Sequence, residues 1–495
     1  MEESSTTSFE ESPGEGDGDV GEGEVGEGTP PPPHPAARKA TASNAAPTLT
    51  RPPPVTDRQV STTPAPTNPR AGRPLTGRAP GRSVRGMLNA IWAAFFLAAF
   101  LAGLHQWLVL GHAQVWAQMV AAAFDMAKTG FEVALGLTGV MCLWLGFMKL
   151  GERGGAVTIL GRAVDPLFRR LFPGIPPGHP ASASIVMNMA ANMLGLDNAA
   201  TPLGLKAMKE LQELNPTADT ATDAMILFLV INASAVTVIP IAIFTYRTQM
   251  GAKDPTDVFL PLLIATYCST MAGLLVTAWV QKLRLRDPVV LAYLGGLTAL
   301  VGGVVAYCSR LDRATLEAQS AVVSNFVIFG LIVSFVALAA WRRVPLYEAF
   351  VEGAKEGFHV AVGIIPYLVA MLVAIGVLRA SGALDRVLDV VRWGVTSLGL
   401  DARWVDALPV GLVRPLSGSG SRGLVIETMK TFGADSFAGR LACVIQGSTE
   451  TTFYILTVYF GSVGVRKWRH AVPCGLAAEL AGFVAAVLVS YMFFG

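Results

Sequence analysis

The chain has 495 residues, of which 52% are hydrophobic and only 15% charged, with a formal net charge of +2. A soluble domain would spread more charge over its surface, so this balance excludes an ordinary soluble protein and points to an all-α polytopic membrane protein. Lys and Arg sit beside apolar runs rather than along one aromatic-bearing face, which excludes a nucleic-acid partner. The five cysteines lie in or beside apolar runs without CxxC spacing, and the six histidines form no HExxH, so neither a disulfide framework nor a metal site nor a cofactor is expected.

Residues 1–84 open with an acidic, Gly-rich block (Glu10 to Glu27) and continue in Pro, Thr, Ala and Arg. Such a stretch buries too little apolar surface to order itself, which predicts a disordered tail. Arg70, Arg73, Arg78, Arg82 and Arg85 precede the first apolar run and set that tail on the cytoplasmic side. Runs long enough to cross roughly 30 Å of hydrocarbon follow at 87–111, 131–150, 219–246, 257–281, 289–309, 318–340, 360–379, 437–460 and 471–494. Basic residues between them fit alternating sides except at Arg379, Arg386, Arg392 and Arg403, which would fall outside unless they belong to amphipathic interface segments.

A repeat underlies this order. AKTGFEVALG at 127–136 returns as AKEGFHVAVG at 354–363, identical at seven of ten positions, and INASAVT at 231–237 is echoed by IQGSTET at 445–451. Each unit reads as span, interfacial amphipathic helix, span, broken polar segment and two further spans, over 87–281 and 318–494. The single span 289–309 between them turns the second unit upside down, which predicts two inverted-topology repeats with broken or re-entrant polar helices and a site near the midplane. The expected domains are the tail 1–84, a first membrane domain 85–286, a linking span within 287–316 and a second membrane domain 317–495.

Polar residues inside apolar segments mark the candidate site. In GHPASASIVMNMAANMLGLDNAATPLGLKAM (178–208), Asn188 and Asn192 share one helix face, Asn198 follows, and Thr201 before Pro202 fits an N-cap with proline at the first helical position. In RPLSGSGSRG (414–423), Ser417, Ser419 and Ser421 alternate with glycines in a chain able to turn and expose backbone donors, with Arg414 or Arg422 to attract an anion. Asn232, Ser234 and Thr237 interrupt 219–246 ahead of the kinking Pro240. Gln446, Ser448, Glu450, Thr451, Thr452 and Tyr454 interrupt 437–460, with Glu450 near the middle of that run and Tyr454 one turn on along the same face. An unpaired charge there is costly, so Glu450 is expected to be protonated, paired or ligand-bound. Asp219, Asp223 and Asp435 are read as helix caps. Amides and hydroxyls of this kind also serve as plain interhelical glue.

These same stretches carry a family resemblance. NMAANMLGLDNAATPLGLKAM (188–208) resembles the signature of the spore maturation protein A family. YEAFVEGAKEGFHVAVGIIPYLVAM (347–371), RPLSGSGSRG (414–423) and QGSTETTFY (446–454) resemble spore maturation protein B. The resemblance covers 87–495 and implies two nucleoside-recognition (gate) membrane domains fused in one chain, an inner-membrane location and a link to dehydration of the spore core. It settles no substrate. The leading expectation is a non-enzymatic secondary transporter of a small polar solute, coupled to a proton or cation through Glu450. A membrane scaffold or regulator and an intramembrane enzyme on a lipid-linked substrate are the alternatives. Expected partners are membrane lipids, the solute, the coupling ion and, as an allowed assembly, a homo-oligomer.

Overall fold

The computed structural model describes the backbone of residues 81–234 and 237–495, and side chains from residue 89 onward except 197–199 and 235–236. The expected tail, apart from its last residues, and the side chain of Asn198 therefore lie outside the described residues. In chain order the helices are α1 (Gly81–Leu108), α2 (Val115–Gly154), α3 (Ala156–Leu171), α4 (Pro180–Met193), α5 (Asp197–Glu213) and α6 (Asp223–Ala233). Next come α7 (Ile241–Gln249), α8 (Phe259–Gln281), α9 (Pro288–Cys308), α10 (Arg313–Trp341), α11 (Leu346–Ala380) and α12 (Ala383–Ser397). A 3₁₀ turn (Arg403–Ala407) leads to α13 (Leu408–Val413), α14 (Gly418–Phe432), α15 (Phe437–Ser448), α16 (Thr452–Ser462) and α17 (Ala471–Phe494).

Seven helices among the described residues are long and apolar enough to cross a membrane: α1 from Asn89, α2, α8, α9, α10, α11 and α17. The protein is an all-helical, multi-spanning membrane protein. Its exposed large side chains include Leu97, Phe100, Leu101, Phe124, Leu297, Leu300, Phe326, Phe329 and Leu488, a surface that water would penalise and acyl chains accept.

Two of the expected spans are not continuous helices. The run 219–246 is divided into α6 and α7, and 437–460 into α15 and α16. Each piece has 9–12 residues, which at about 1.5 Å per residue is too short to cross alone. Pro240, without an N–H, stands directly before α7. The two stops are alike: Ser234 Oγ donates to the Ile231 carbonyl (2.8 Å) and Ser448 Oγ to the Ile445 carbonyl (3.0 Å). Amphipathic helices also fall later than expected, because 115–154 is one helix. They are α3 and α12, which follow the long helices α2 and α11.

The long helices α2 and α11, of 40 and 35 residues, run antiparallel at close range because glycines face the partner backbone. A Cβ at Gly130 would lie 3.1 Å from Val369, and one at Gly357 would lie 2.6 Å from the Met141 carbonyl oxygen and 2.8 Å from Cys142 Cα. Gly376 likewise abuts Met126, and Gly353 abuts Lys149. The first residues of the two repeated stretches, 127 and 354, differ by 227. That same shift converts the Gly130–Val369 contact into Gly357–Cys142 and the Met126–Gly376 contact into Gly353–Lys149. The crossing is therefore reciprocal, each repeat copy meeting the other through equivalent positions.

Three of the four basic residues that fitted the topology poorly are matched by acid. Arg379 pairs with Glu427 (2.5 Å) and Asp385, Arg392 with Asp389 and Asp406 (2.7 Å), and Arg403 with Asp401 (2.8 Å). Arg386 and Arg392 lie on the amphipathic α12.

Candidate functional site

Helix interruptions converge on one place. The breaks lie between α4 and α5 (194–196), α6 and α7 (234–240), α13 and α14 (414–417), and α15 and α16 (449–451). Their unwound backbones, with donors and acceptors that helix geometry no longer satisfies, bond one another. Val238 N–H donates to the Met193 carbonyl (2.8 Å), Glu450 N–H to the Ala233 carbonyl (2.8 Å) and Phe453 N–H to the Pro415 carbonyl (3.2 Å). Gly195, at φ +72°, lets that turn lie against the Ile239 carbonyl, where a Cβ would come within 2.7 Å.

A cavity of about 150 Å³ opens between these breaks and the α2–α11 pair. Gly195, Thr237, Pro240, Arg414, Gln446 and Glu450 line it from the interruptions, and Lys149, Glu152 and Glu356 from the long helices. Arg422 of α14 also reaches it. The charges alternate in sign. Lys149 lies 3.3 Å from both Glu152 and Glu356 and 3.6 Å from Glu352, while Arg153 pairs with Glu352 beside it. Arg414, 4% exposed, donates Nε to the Thr449 carbonyl (2.8 Å) with Nη2 on the same oxygen, and stands 3.4 Å from Glu450. Glu450 keeps 43% of its side chain exposed. It lies in the break between α15 and α16 rather than inside a continuous helix, and of the expected alternatives, protonated, paired or ligand-bound, the geometry gives a paired carboxylate at the cavity wall.

Of the residues singled out from sequence, Thr237, Arg414, Arg422, Gln446 and Glu450 line the cavity. Ser421, fully buried, donates to Gln446 Oε1 at 2.5 Å and so orients that amide. Asn188, Asn192 and Asn232 are brought together but satisfy one another: Asn192 Nδ2 donates to Asn232 Oδ1 (2.8 Å) and Asn188 Oδ1 (3.3 Å). Asn188 donates to the Ala200 carbonyl (2.7 Å) and Asn232 to the Phe228 carbonyl (2.8 Å). This chain of amides ties α4, α5 and α6 together.

Several local expectations need correction. Thr201 is no N-cap: α5 begins at Asp197, because Ala200 N–H closes the first turn on the Leu196 carbonyl (2.8 Å) and Pro202 falls within the helix. Ser417, Ser419 and Ser421 do not form an open loop. Ser417 caps α14 by accepting from Gly420 N–H (3.0 Å), Ser419 lies 3.3 Å from Ser417, and Gly418 and Gly420 are already helical. Ser234 and Ser448 are spent on their own helix ends, and Thr451 is buried at the N-cap of α16. Tyr454 is 57% exposed and stands away from the cavity lining. The caps on α6 and α15 are Thr222 and Ser436, not Asp223 and Asp435, since a hydroxyl already occupies each capping position.

Those aspartates instead belong to two clasps. Arg247, completely buried, donates to the Ala434 carbonyl (2.7 Å) and pairs with Asp435 (3.1 Å) and Asp257 (2.8 Å). Burial pushes the Asp257 carboxyl above its usual range despite Arg247 and Arg440 beside it. At α6, Arg469 donates to the Ala221 carbonyl (3.1 Å) and pairs with Asp223 (2.8 Å), and Lys467 pairs with Asp219 (3.1 Å). The hydrogen bond from Thr220, followed by Lys467, holds the Asp219 carboxyl below its usual range.

A nucleoside-recognition gate family model matches the chain at residues 134–250 and 361–466, segments that contain all of the cavity-lining residues named above except Glu356. Spore maturation protein B of Bacillus subtilis (strain 168) is 49% identical over 154 residues, 31% of this chain and 85% of that protein. Spore maturation protein A of the same organism is 41% identical over 155 residues, 31% of this chain and 79% of that protein. The chain belongs to the spore maturation protein A and B family. No solved structure matches it.

Within this family member, sequence reasoning missed three groups that the fold brings to or near the site. Lys149, Glu152 and Glu356 were not among the candidate residues. Arg247 lay unnoticed inside an apolar run. Glu479, 6% exposed in the middle of α17, donates nothing and accepts from Thr452 N–H at 2.9 Å. An ionisable residue in an otherwise apolar span was the signal that could have found it.

Proposed function

We propose that this protein is a secondary transporter of a small polar solute, with two inverted halves, 85–286 and 317–495, joined through the span in 287–316. The reading includes a bacterial inner-membrane location with the tail 1–84 cytoplasmic, and a role in spore maturation as the names of its relatives suggest. The observation that carries it is the convergence of interrupted helices from both halves on a charged cavity beside α2 and α11. A structural bundle has no use for unwound backbone and six charged side chains at that depth; a protein that must strip and replace a solute's water does.

The reciprocal α2–α11 crossing and the matched serine stops of α6 and α15 support the inverted relation. At about 150 Å³ the cavity is below the roughly 300–1,000 Å³ usual for drug-sized ligands. A solute of a few heavy atoms fits it as it stands; a nucleoside, which the family description names, requires it to open. The Arg414–Glu450 pair at the cavity wall, with Arg422 also in the lining, suits a polar or zwitterionic solute, with Glu450 as the group that exchanges a proton or cation.

A non-transporting scaffold is the second reading, favoured by the self-satisfied chain Asn188–Asn192–Asn232. Flux into proteoliposomes, measured for a panel of small polar solutes that includes nucleosides, separates the two. Solute-specific flux above protein-free vesicles is expected. Its absence for the whole panel, under imposed proton and sodium gradients, would favour the scaffold.

A further inference from the structure

The carboxylate of Glu479 has no part in the cavity, yet it is built into the α15–α16 interruption. It lies eight residues into α17, about 12 Å along the helix axis. Gly475, Glu479 and Gly482 share one face of α17, being four and three residues apart. Both glycines admit the interruption closely: a Cβ at Gly475 would meet Thr452 at 2.7 Å, and one at Gly482 would meet Thr449 at 2.6 Å. Glu479 Oε1 then accepts the N–H of Thr452, the first residue of α16. Its Oε2 is sealed from solvent with no hydrogen-bond partner, as are the hydroxyls of Thr451 and Thr452 beside it.

A buried carboxylate must be paired, fully hydrogen-bonded or neutral; among the described residues Glu479 has no ion pair, its bond from Thr452 serves Oε1 alone, and Oε2 is left unpartnered. Arg414 and Glu450, across the interruption, are the charged groups whose fields reach it. Along α8 the facing residues are Ser269 and Gly273, which touch Gly482 and Ala478. From α15, Arg440 stacks on Phe494 at the far end of α17. Asp223 of α6 is held by Arg469 before the near end, Tyr454 of α16 is exposed, and α10 meets α17 through Leu316 near Val489 and Phe493.

We propose that Glu479 is a second ion-exchange site, distinct from Glu450, at which Oε2, sealed while the interruption is closed, takes up a proton from water and returns it when the interruption opens. In the ionised form the carboxylate makes a charge-assisted bond to the start of α16. Protonation gives a neutral acid with the O–H on Oε2, weakens that bond and frees the segment 449–451, which holds Arg414 through the Thr449 carbonyl. Proton binding would thereby reach the cavity. The coupling role rests on the transport reading; the proton site does not.

The test is therefore made without a transported solute. Infrared difference spectra of the full-length protein in lipid, titrated with acid and base, should show a protonated-carboxyl band that disappears as pH rises. That band should be missing in Glu479→Gln and retained in Glu450→Gln. Should the Gln variant not fold, Glu479→Asp should move both the band and its midpoint. No difference between wild type and the Glu479 variants, or a Glu479 band that stays constant across the titration, would overturn the proposal. Loss of the band on adding sodium chloride at fixed pH would replace the proton by sodium and overturn it as stated. Absence of solute flux would count against transport while leaving the titration result untouched.

Discussion

The two interruptions α6–α7 and α15–α16 end on the same serine device, yet their surroundings differ in kind. Around the first, Asn188, Asn192 and Asn232 close on one another and on backbone carbonyls, all neutral groups. Around the second stand Arg414, Glu450 and the buried Glu479. The two breaks thus differ in their surroundings: neutral amides tie helices together beside the first, and charged side chains face the cavity at the second. The clasps at the helix starts differ as well, since the arginine at α15 is fully buried whereas the one at α6 is 41% exposed.

The sharpest way to break this comparison is at the clasps. Arg247→Ala leaves Asp435 and Asp257 without their buried partner and should cost about 3–5 kcal/mol, read as a large fall in the unfolding midpoint in detergent. Asn232→Ala removes the acceptor for Asn192 and should cost about 1–2 kcal/mol while leaving flux per folded molecule near wild type. Arg469→Ala breaks a solvent-screened pair and should cost no more than about 1 kcal/mol. If Arg469→Ala proved as damaging as Arg247→Ala, the two clasps would be equivalent and the contrast lost.

Much of this organisation was legible from local pattern. Hydrophobic run length located the seven long helices, and polar residues inside apolar runs marked where α6 and α15 stop. The repeat of AKTGFEVALG marked corresponding positions in α2 and α11, but not that the two helices pack against each other. What stayed hidden depends on distance in the chain. Nothing near Arg414 announces Thr449 as its acceptor, and nothing near Arg247 announces Asp435. The asparagines misled for the same reason: an amide reads alike whether it faces a ligand or another amide, and only the approach of α4 to α6 decides. Pro202 suggested a helix start because proline favours first turns, but the bond from Ala200 to Leu196 had already closed that turn.

Central to the account is that the second interruption, not the first, handles the solute. The direct measurement is flux of one transported solute in proteoliposomes carrying equal amounts of folded wild type, Glu450→Gln and Asn192→Ala. Gln keeps the volume of Glu450 and removes its charge opposite Arg414. The account predicts at least a roughly tenfold loss of flux, about 1.4 kcal/mol, and an altered pH response for Glu450→Gln, with Asn192→Ala near wild type per folded molecule. Unchanged flux and pH response in Glu450→Gln, or a greater loss in Asn192→Ala, would contradict it.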